Sequence, residues 1–103
     1  MAATASMRIR TEWRDGDCLL RLAVRHPMDP ERKDEAGGHT PAHFITLIRI
    51  SHGGEVLLTG HWGPGISRNP YLEFLFGGAS PGEEVVIEWE DNRGGHDRLV
   101  ARL

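Results

Sequence analysis

Ile9-x-Thr11-x-Trp13, then Arg14-Asp15-Gly16-Asp17, then Cys18-x-Leu20-x-Leu22-x-Val24: this stretch decides the fold. Apolar side chains recur every second residue, as they do on a strand with one buried face. Asp15-Gly16 between the two runs supplies a residue that takes positive φ, the requirement of a tight hairpin. His26-Pro27 then ends the second strand, because proline has no N–H to give to a ladder.

The same grammar repeats along the chain. A third strand is expected from about His43 to Ser51, with Phe44, Thr46, Ile48 and Ile50 on one face. Val56, Leu58, Gly60 and Trp62 alternate after the turn His52-Gly53-Gly54, and Leu72, Phe74 and Phe76 after the loop that ends at Asn69-Pro70. Val85, Ile87 and Trp89 face inward next, Asp91 to Gly95 turn the chain, and Leu99, Ala101 and Leu103 close a seventh run. Sustained apolar spacing of three and four residues is absent, so almost no helix is expected. About seven short strands separated by turns indicate an all-β, immunoglobulin-like two-sheet β-sandwich. The chain has 103 residues, enough for one domain with one modest core. Residues 1–6 are expected to be a disordered tail and residues 7–103 the sandwich domain.

The net charge of −3, from 12 basic and 15 acidic residues, argues against nucleic acid as a partner. No apolar run approaches the length of a membrane helix, so no membrane partner is expected. Met1 to Ser6 lack a basic start followed by an apolar stretch, so no signal peptide is read.

Candidate chemistry is sparse. Cys18 is the single cysteine, so neither an intrachain disulfide nor a cysteine-based metal cluster is available. Its parity with Leu20, Leu22 and Val24 points it into the core, as an inert small hydrophobe. His39 and His43 have the four-residue spacing of a helical zinc site, but Pro41 between them forbids the helix. His43 and His61 meet only if their strands bring them together. No metal, cofactor or catalytic residue is therefore assigned. Gly63-Pro64-Gly65 and Gly77-Gly78 lack the Gly-Lys-Ser/Thr ending of a phosphate loop and read as turns.

Residues 28–42 form a long polar loop, which in a small domain is functional or disordered. Within it Arg32 and Lys33 offer cations to an anionic partner group, while Asp29, Asp34 and Glu35 weaken that field. Asn69-Pro70-Tyr71 is the second candidate surface. Asn69 turns the chain, Pro70 fixes the start of the strand, and Tyr71 points away from Leu72, Phe74 and Phe76. An aromatic on the outer face either serves an interface or staples the two sheets through its hydroxyl.

Three segments resemble the SoxZ family of bacterial sulfur oxidation. The first is His26-Pro27-Met28, followed by Arg32-Lys33-Asp34, a glycine pair and Pro41-Ala42-His43-Phe44-Ile45. The second runs from Pro64 to Phe74 through Ser67-Arg68-Asn69-Pro70-Tyr71, and the third is Trp89-Glu90-Asp91-Asn92-Arg93-Gly94. Order and spacing agree over most of residues 7–103. Asp29-Pro30-Glu31 departs from the family, where a slightly longer stretch with a glycine is expected.

The resemblance implies a non-catalytic subunit that pairs with a SoxY-like chain, whose flexible Gly-Gly-Cys-Gly-Gly arm carries sulfur intermediates between enzymes. Val100-Ala101-Arg102-Leu103 has no such arm, which fits the supporting subunit. It also implies a periplasmic location reached with a leader-bearing partner, and transient contact with other Sox enzymes. Under the resemblance, Arg32, Lys33, Asn69, Pro70 and Tyr71 are the candidate partner interface. The competing readings are a small redox enzyme working through Cys18 or histidines, and a generic immunoglobulin-like interaction domain.

Overall fold

The computed structural model describes residues 2–103, and every regular element among them is a strand. In chain order they are β1 (Ala2–Ala3), β2 (Met7–Arg14), β3 (Asp17–Val24), β4 (Arg32–Lys33), β5 (His39–Thr40), β6 (Ile45–His52), β7 (Glu55–His61), β8 (Tyr71–Phe76), β9 (Glu84–Asp91) and β10 (His96–Arg102). Seven of these have six residues or more and correspond to the seven apolar runs of the sequence. No described segment is a helix long and apolar enough to cross a membrane.

The strands form two four-stranded antiparallel sheets, ordered β1-β2-β3-β8 and β10-β9-β6-β7, plus the small β4-β5 ladder. Both large sheets turn an apolar face inward. Leu20 and Leu22 of the first join Ile48, Ile50, Val85 and Ile87 of the second in one cluster, all fully buried. Cys18 is in that cluster at 0% exposure, as its parity requires. The hairpin between β2 and β3 turns at Asp15 (φ 50°) and Gly16 (φ 85°), the pair of positive φ values that a two-residue turn needs.

Two bulges correct the simple alternation. On β6 the pairing with β9 shifts between Ile45 and Leu47, so Thr46 is the extra residue. Ile45 and Ile48 consequently both point inward at 0% exposure, where strict alternation would have chosen Phe44 and Thr46. The displaced Thr46 hydroxyl donates to the Glu90 carbonyl at 3.2 Å. A second shift between Ile50 and Ser51 leaves Val56 of β7 at 51% exposure, off the face that Leu58 shares with the core.

The start of the chain also differs from the expected loose tail. Ala2–Ala3 pair with Arg8–Ile9 of β2. The hydroxyls of Thr4 and Ser6 donate to Asp97 of β10, and Ser6 Oγ accepts the Trp89 indole N–H at 3.0 Å. Polar groups at the sandwich margin thus need these residues as partners, which holds the segment against the body.

The long loop is likewise structured. A backbone pair between Asp29 and His43 closes its base, and β4-β5 continues outward from there. Residues 30–37 are all exposed. The molecule's long axis is 57 Å, well beyond the roughly 27 Å of an eight-residue strand, so this hairpin stands off the end of the sandwich.

Truncating Ile48 to Ala should cost about 3 kcal/mol of unfolding free energy in urea denaturation, because it opens a cavity between two closed sheets. Val56→Ala, on the exposed side of the second bulge, should change stability by less than about 0.5 kcal/mol.

Candidate functional site

The polar centre of the molecule is Asp91, the last residue of β9. Its side chain is 3% exposed. Oδ1 accepts backbone N–H groups from Arg93 at 2.9 Å and Gly95 at 2.7 Å. Oδ2 accepts from His26 Nε2 at 3.0 Å and from His43 Nε2 at 2.9 Å. Burial alone would push this carboxyl up. The bonds from His26, the Arg93 backbone, His43 and the Gly95 backbone outweigh it and hold Asp91 well below the usual carboxylate range.

Each partner is fixed in turn. His26 Nδ1 accepts the Met28 N–H at 3.1 Å, so in the neutral ring the proton sits on Nε2, facing Asp91. The ring lies edge-on to Trp89 (5.3 Å) and to His43 (4.6 Å). Met28 takes φ 48°, a conformation that costs a non-glycine residue on the order of 1 kcal/mol, and its buried sulfur accepts the Ile45 N–H at 3.3 Å. Asn69, also left-handed at φ 52°, brackets His26: its Oδ1 accepts the His26 N–H at 3.1 Å, and its N–H donates to the His26 carbonyl at 2.9 Å. From the β9-β10 turn, Asn92 exchanges bonds with Phe44 and Ala42, and the Arg93 guanidinium donates to the Pro41 carbonyl at 2.7 Å. Gly95 has no room for a Cβ, which would collide with the Asp91 carboxylate.

His26, His43 and Asp91 bring three potential metal-ligand atoms within 4.8 Å of one another. The hydrogen bonding does not fit a metal. A ligating histidine donates its second ring N–H to an acceptor, whereas His26 Nδ1 receives an N–H. A cation on Nε2 would require an imidazolate or a broken Met28 bond. Asp91, with its lone-pair positions filled, is also not free to act as a base. The cluster is a structural junction that ties four chain segments together at one end of the sandwich.

Of the residues singled out from sequence, Asn69 and His43 bond into this junction. Arg32 and Lys33 are exposed on β4, and Arg32 reaches Asp29 at 3.2 Å. Tyr71 opens β8 at 60% exposure on the outer face, its hydroxyl donating to Glu73 at 2.9 Å. Asn69 spends its side chain on His26. Pro70 is buried and its carbonyl accepts the Val24 N–H at 2.9 Å, so it supports Tyr71 and offers no contact surface of its own. His39 pairs with Glu31 at 2.6 Å on the hairpin, His61 sits on β7 opposite Leu47, and His43 turns to Asp91. The six histidines therefore do not converge, apart from His26 and His43. The junction escaped residue-by-residue reading because its members are 17 to 65 positions apart. Its signal lay within the segments 26–45, 64–74 and 89–94 singled out from sequence, parts of which meet here.

Asp91→Asn should destabilise the fold by about 3 kcal/mol, since an amide places a donor where only acceptors fit. The acid limb of stability should change with it. Asp91 titrates lower folded than its ordinary 3.8. Its contribution is full above that value and is lost as pH falls through the folded pKa. Urea midpoints measured from pH 6 downward should therefore fall more steeply below about pH 4 in the parent than in Asp91→Asn.

A family model described as "Sulphur oxidation protein SoxZ" matches residues 7–101. No curated protein matches significantly.

Proposed function

We propose, on the premise that this chain belongs to the SoxZ family of sulphur oxidation proteins, that it is the supporting subunit of a sulfur-carrier complex. In this reading it pairs with a SoxY-like chain that bears the reactive thiol. It does no chemistry of its own in thiosulfate or sulfur oxidation. The complex works in the periplasm, where the leader of the partner brings it.

One observation carries the proposal. Cys18, the sole thiol, lies at 0% exposure between the sheets, and burial pushes it above the ordinary thiol range. A carrier thiol must be reachable and ionisable. Covalent sulfur therefore needs a cysteine from another chain. What this chain offers is surface: the exposed β4-β5 hairpin with Arg32 and Lys33, and Tyr71 on the outer sheet, both held in place by the Asp91 junction. A stable pair would bury at least about 1,000 Å² in total.

Two measurements test this. A thiol reagent should label Cys18 in the native protein at least about a hundredfold more slowly than in denaturant. Co-expressed with a chain ending in a Gly-Gly-Cys-Gly-Gly arm, the protein should elute with it as one complex, and Cys18→Ala should leave that complex intact. Rapid native labelling, or sulfur turnover by this chain alone, would support the thiol-enzyme reading instead.

A further inference from the structure

The outer face of the first sheet carries a charge pattern that the net charge of −3 hides. In register across β2, β3 and β8, Arg8 lies opposite Ala23 and Ala23 opposite Tyr71; one step along, Arg10 lies opposite Arg21 and Arg21 opposite Glu73. Ala23 is the small residue in this array. Over it opens a hollow of about 300 Å³ lined by Arg8, Arg10, Arg21, Ala23 and Tyr71. A second hollow of about 200 Å³ shares Arg8 and Ala23 and continues to Arg25 and Asn69. The two adjoin at Arg8 and Ala23, and the groove they outline carries four arginines and, among the described residues, no carboxylate in its linings.

Glu12 and Glu73 neutralise Arg21, at 3.2 and 3.4 Å. Among the described residues, Arg8, Arg10 and Arg25 have no carboxylate within salt-bridge distance. Three uncompensated guanidiniums side by side on a sheet raise each other's electrostatic cost, and an anion placed between them relieves it.

We infer that this groove docks an extended acidic segment of a protein partner. Arg8 and Arg10, two residues apart on one strand, are separated by about 7 Å, which is the spacing of alternate side chains on an extended peptide. Acidic residues at alternate positions would meet them in turn by bidentate bonds, and the Ala23 hollow leaves room for the peptide to lie low. A single small oxyanion would leave most of these two hollows, of about 200 and 300 Å³, unfilled. Nucleic acid is disfavoured by the acidic balance of the remaining surface. The inference rests on the reading of the chain as a protein-binding subunit and names the chemistry of one surface of its partner.

The test uses the full-length protein and fluorescent eight-residue peptides, acetylated and alternating Glu-Thr or Gln-Thr, read by anisotropy at low salt. The Glu-Thr peptide should bind, with affinity falling as salt rises, and the Gln-Thr peptide should bind at least about tenfold more weakly. Arg8→Gln with Arg10→Gln should weaken the Glu-Thr peptide by about tenfold, whereas Arg98→Gln and Arg102→Gln, on β10, should not. Ala23→Leu keeps every charge but fills the hollow and should weaken it too. Unchanged thermal melting of these exposed-site variants separates binding from folding.

Equal binding of both peptides, or full binding by the Arg8/Arg10 variant, would overturn the inference. So would indifference to Ala23→Leu, which would mean diffuse charge attraction only. Displacement by sulfate beyond that by chloride of equal ionic strength would assign the groove to a small oxyanion. Tighter binding of a single-stranded oligonucleotide would assign it to nucleic acid. Co-elution of the Arg8/Arg10 variant with the thiol-bearing partner, measured in parallel, keeps the two proposals separate. Loss of peptide binding in the parent with the complex intact sinks only the groove, while absence of any complex sinks the subunit reading.

Discussion

One buried carboxylate organises this small protein. Asp91 sits where four segments distant in sequence converge, and it can stay charged out of water only because four N–H donors surround it. A half-satisfied carboxylate at this position would cost more than any apolar substitute. The donors are therefore obligatory, and with them the geometry of the loops that carry them: the left-handed Met28 and Asn69, the close approach at Gly95, and the Asp29–His43 backbone pair. Strain at Met28 is tolerated because its N–H sets the tautomer of His26 and its sulfur closes over β6.

The junction acts on the rest of the structure through position. It closes the end of the sandwich from which the β4-β5 hairpin extends, and through Asn69 it sets where β8 begins, hence where Tyr71 stands on the outer sheet. At the core, Cys18 is packed among isoleucines and leucines from both sheets. The same inward-facing parity that makes the sandwich removes the only thiol from solvent. In the proposed reading, that packing leaves this chain its surface for recognition and assigns the thiol chemistry to a partner.

The sequence was most legible where a strand obeys strict alternation. Cys18, Leu20, Leu22 and Val24, or Val85, Ile87 and Trp89, could be assigned to the core because a period of two leaves no other choice. It was least legible where one inserted residue resets the phase, as Thr46 does on β6 and Leu57 on β7, because a bulge has no signature in a single sequence. Pro70 looked like surface by its company with Tyr71, yet it is buried after the left-handed Asn69 and its carbonyl pairs with Val24. The loop 28–42 read as a long polar segment, functional or disordered, and the pairing of its base depends on His43, whose partner Asp91 lies 48 residues away. Long-range hydrogen bonds of this kind are specified jointly, and neither end announces the other. The basic groove was hidden differently: arginines at alternate positions of β2 and β3 converge only when the register of three strands is known.

The proposed division between a sealed thiol here and a reactive one in a partner is most directly tested by mass. Complex isolated from cells oxidising reduced sulfur should be digested without reduction, and the peptides of both chains weighed. Sulfur adducts should be confined to the partner's terminal cysteine, with the Cys18 peptide at the mass of the free thiol. Adducts on Cys18 beside an unmodified partner would contradict it.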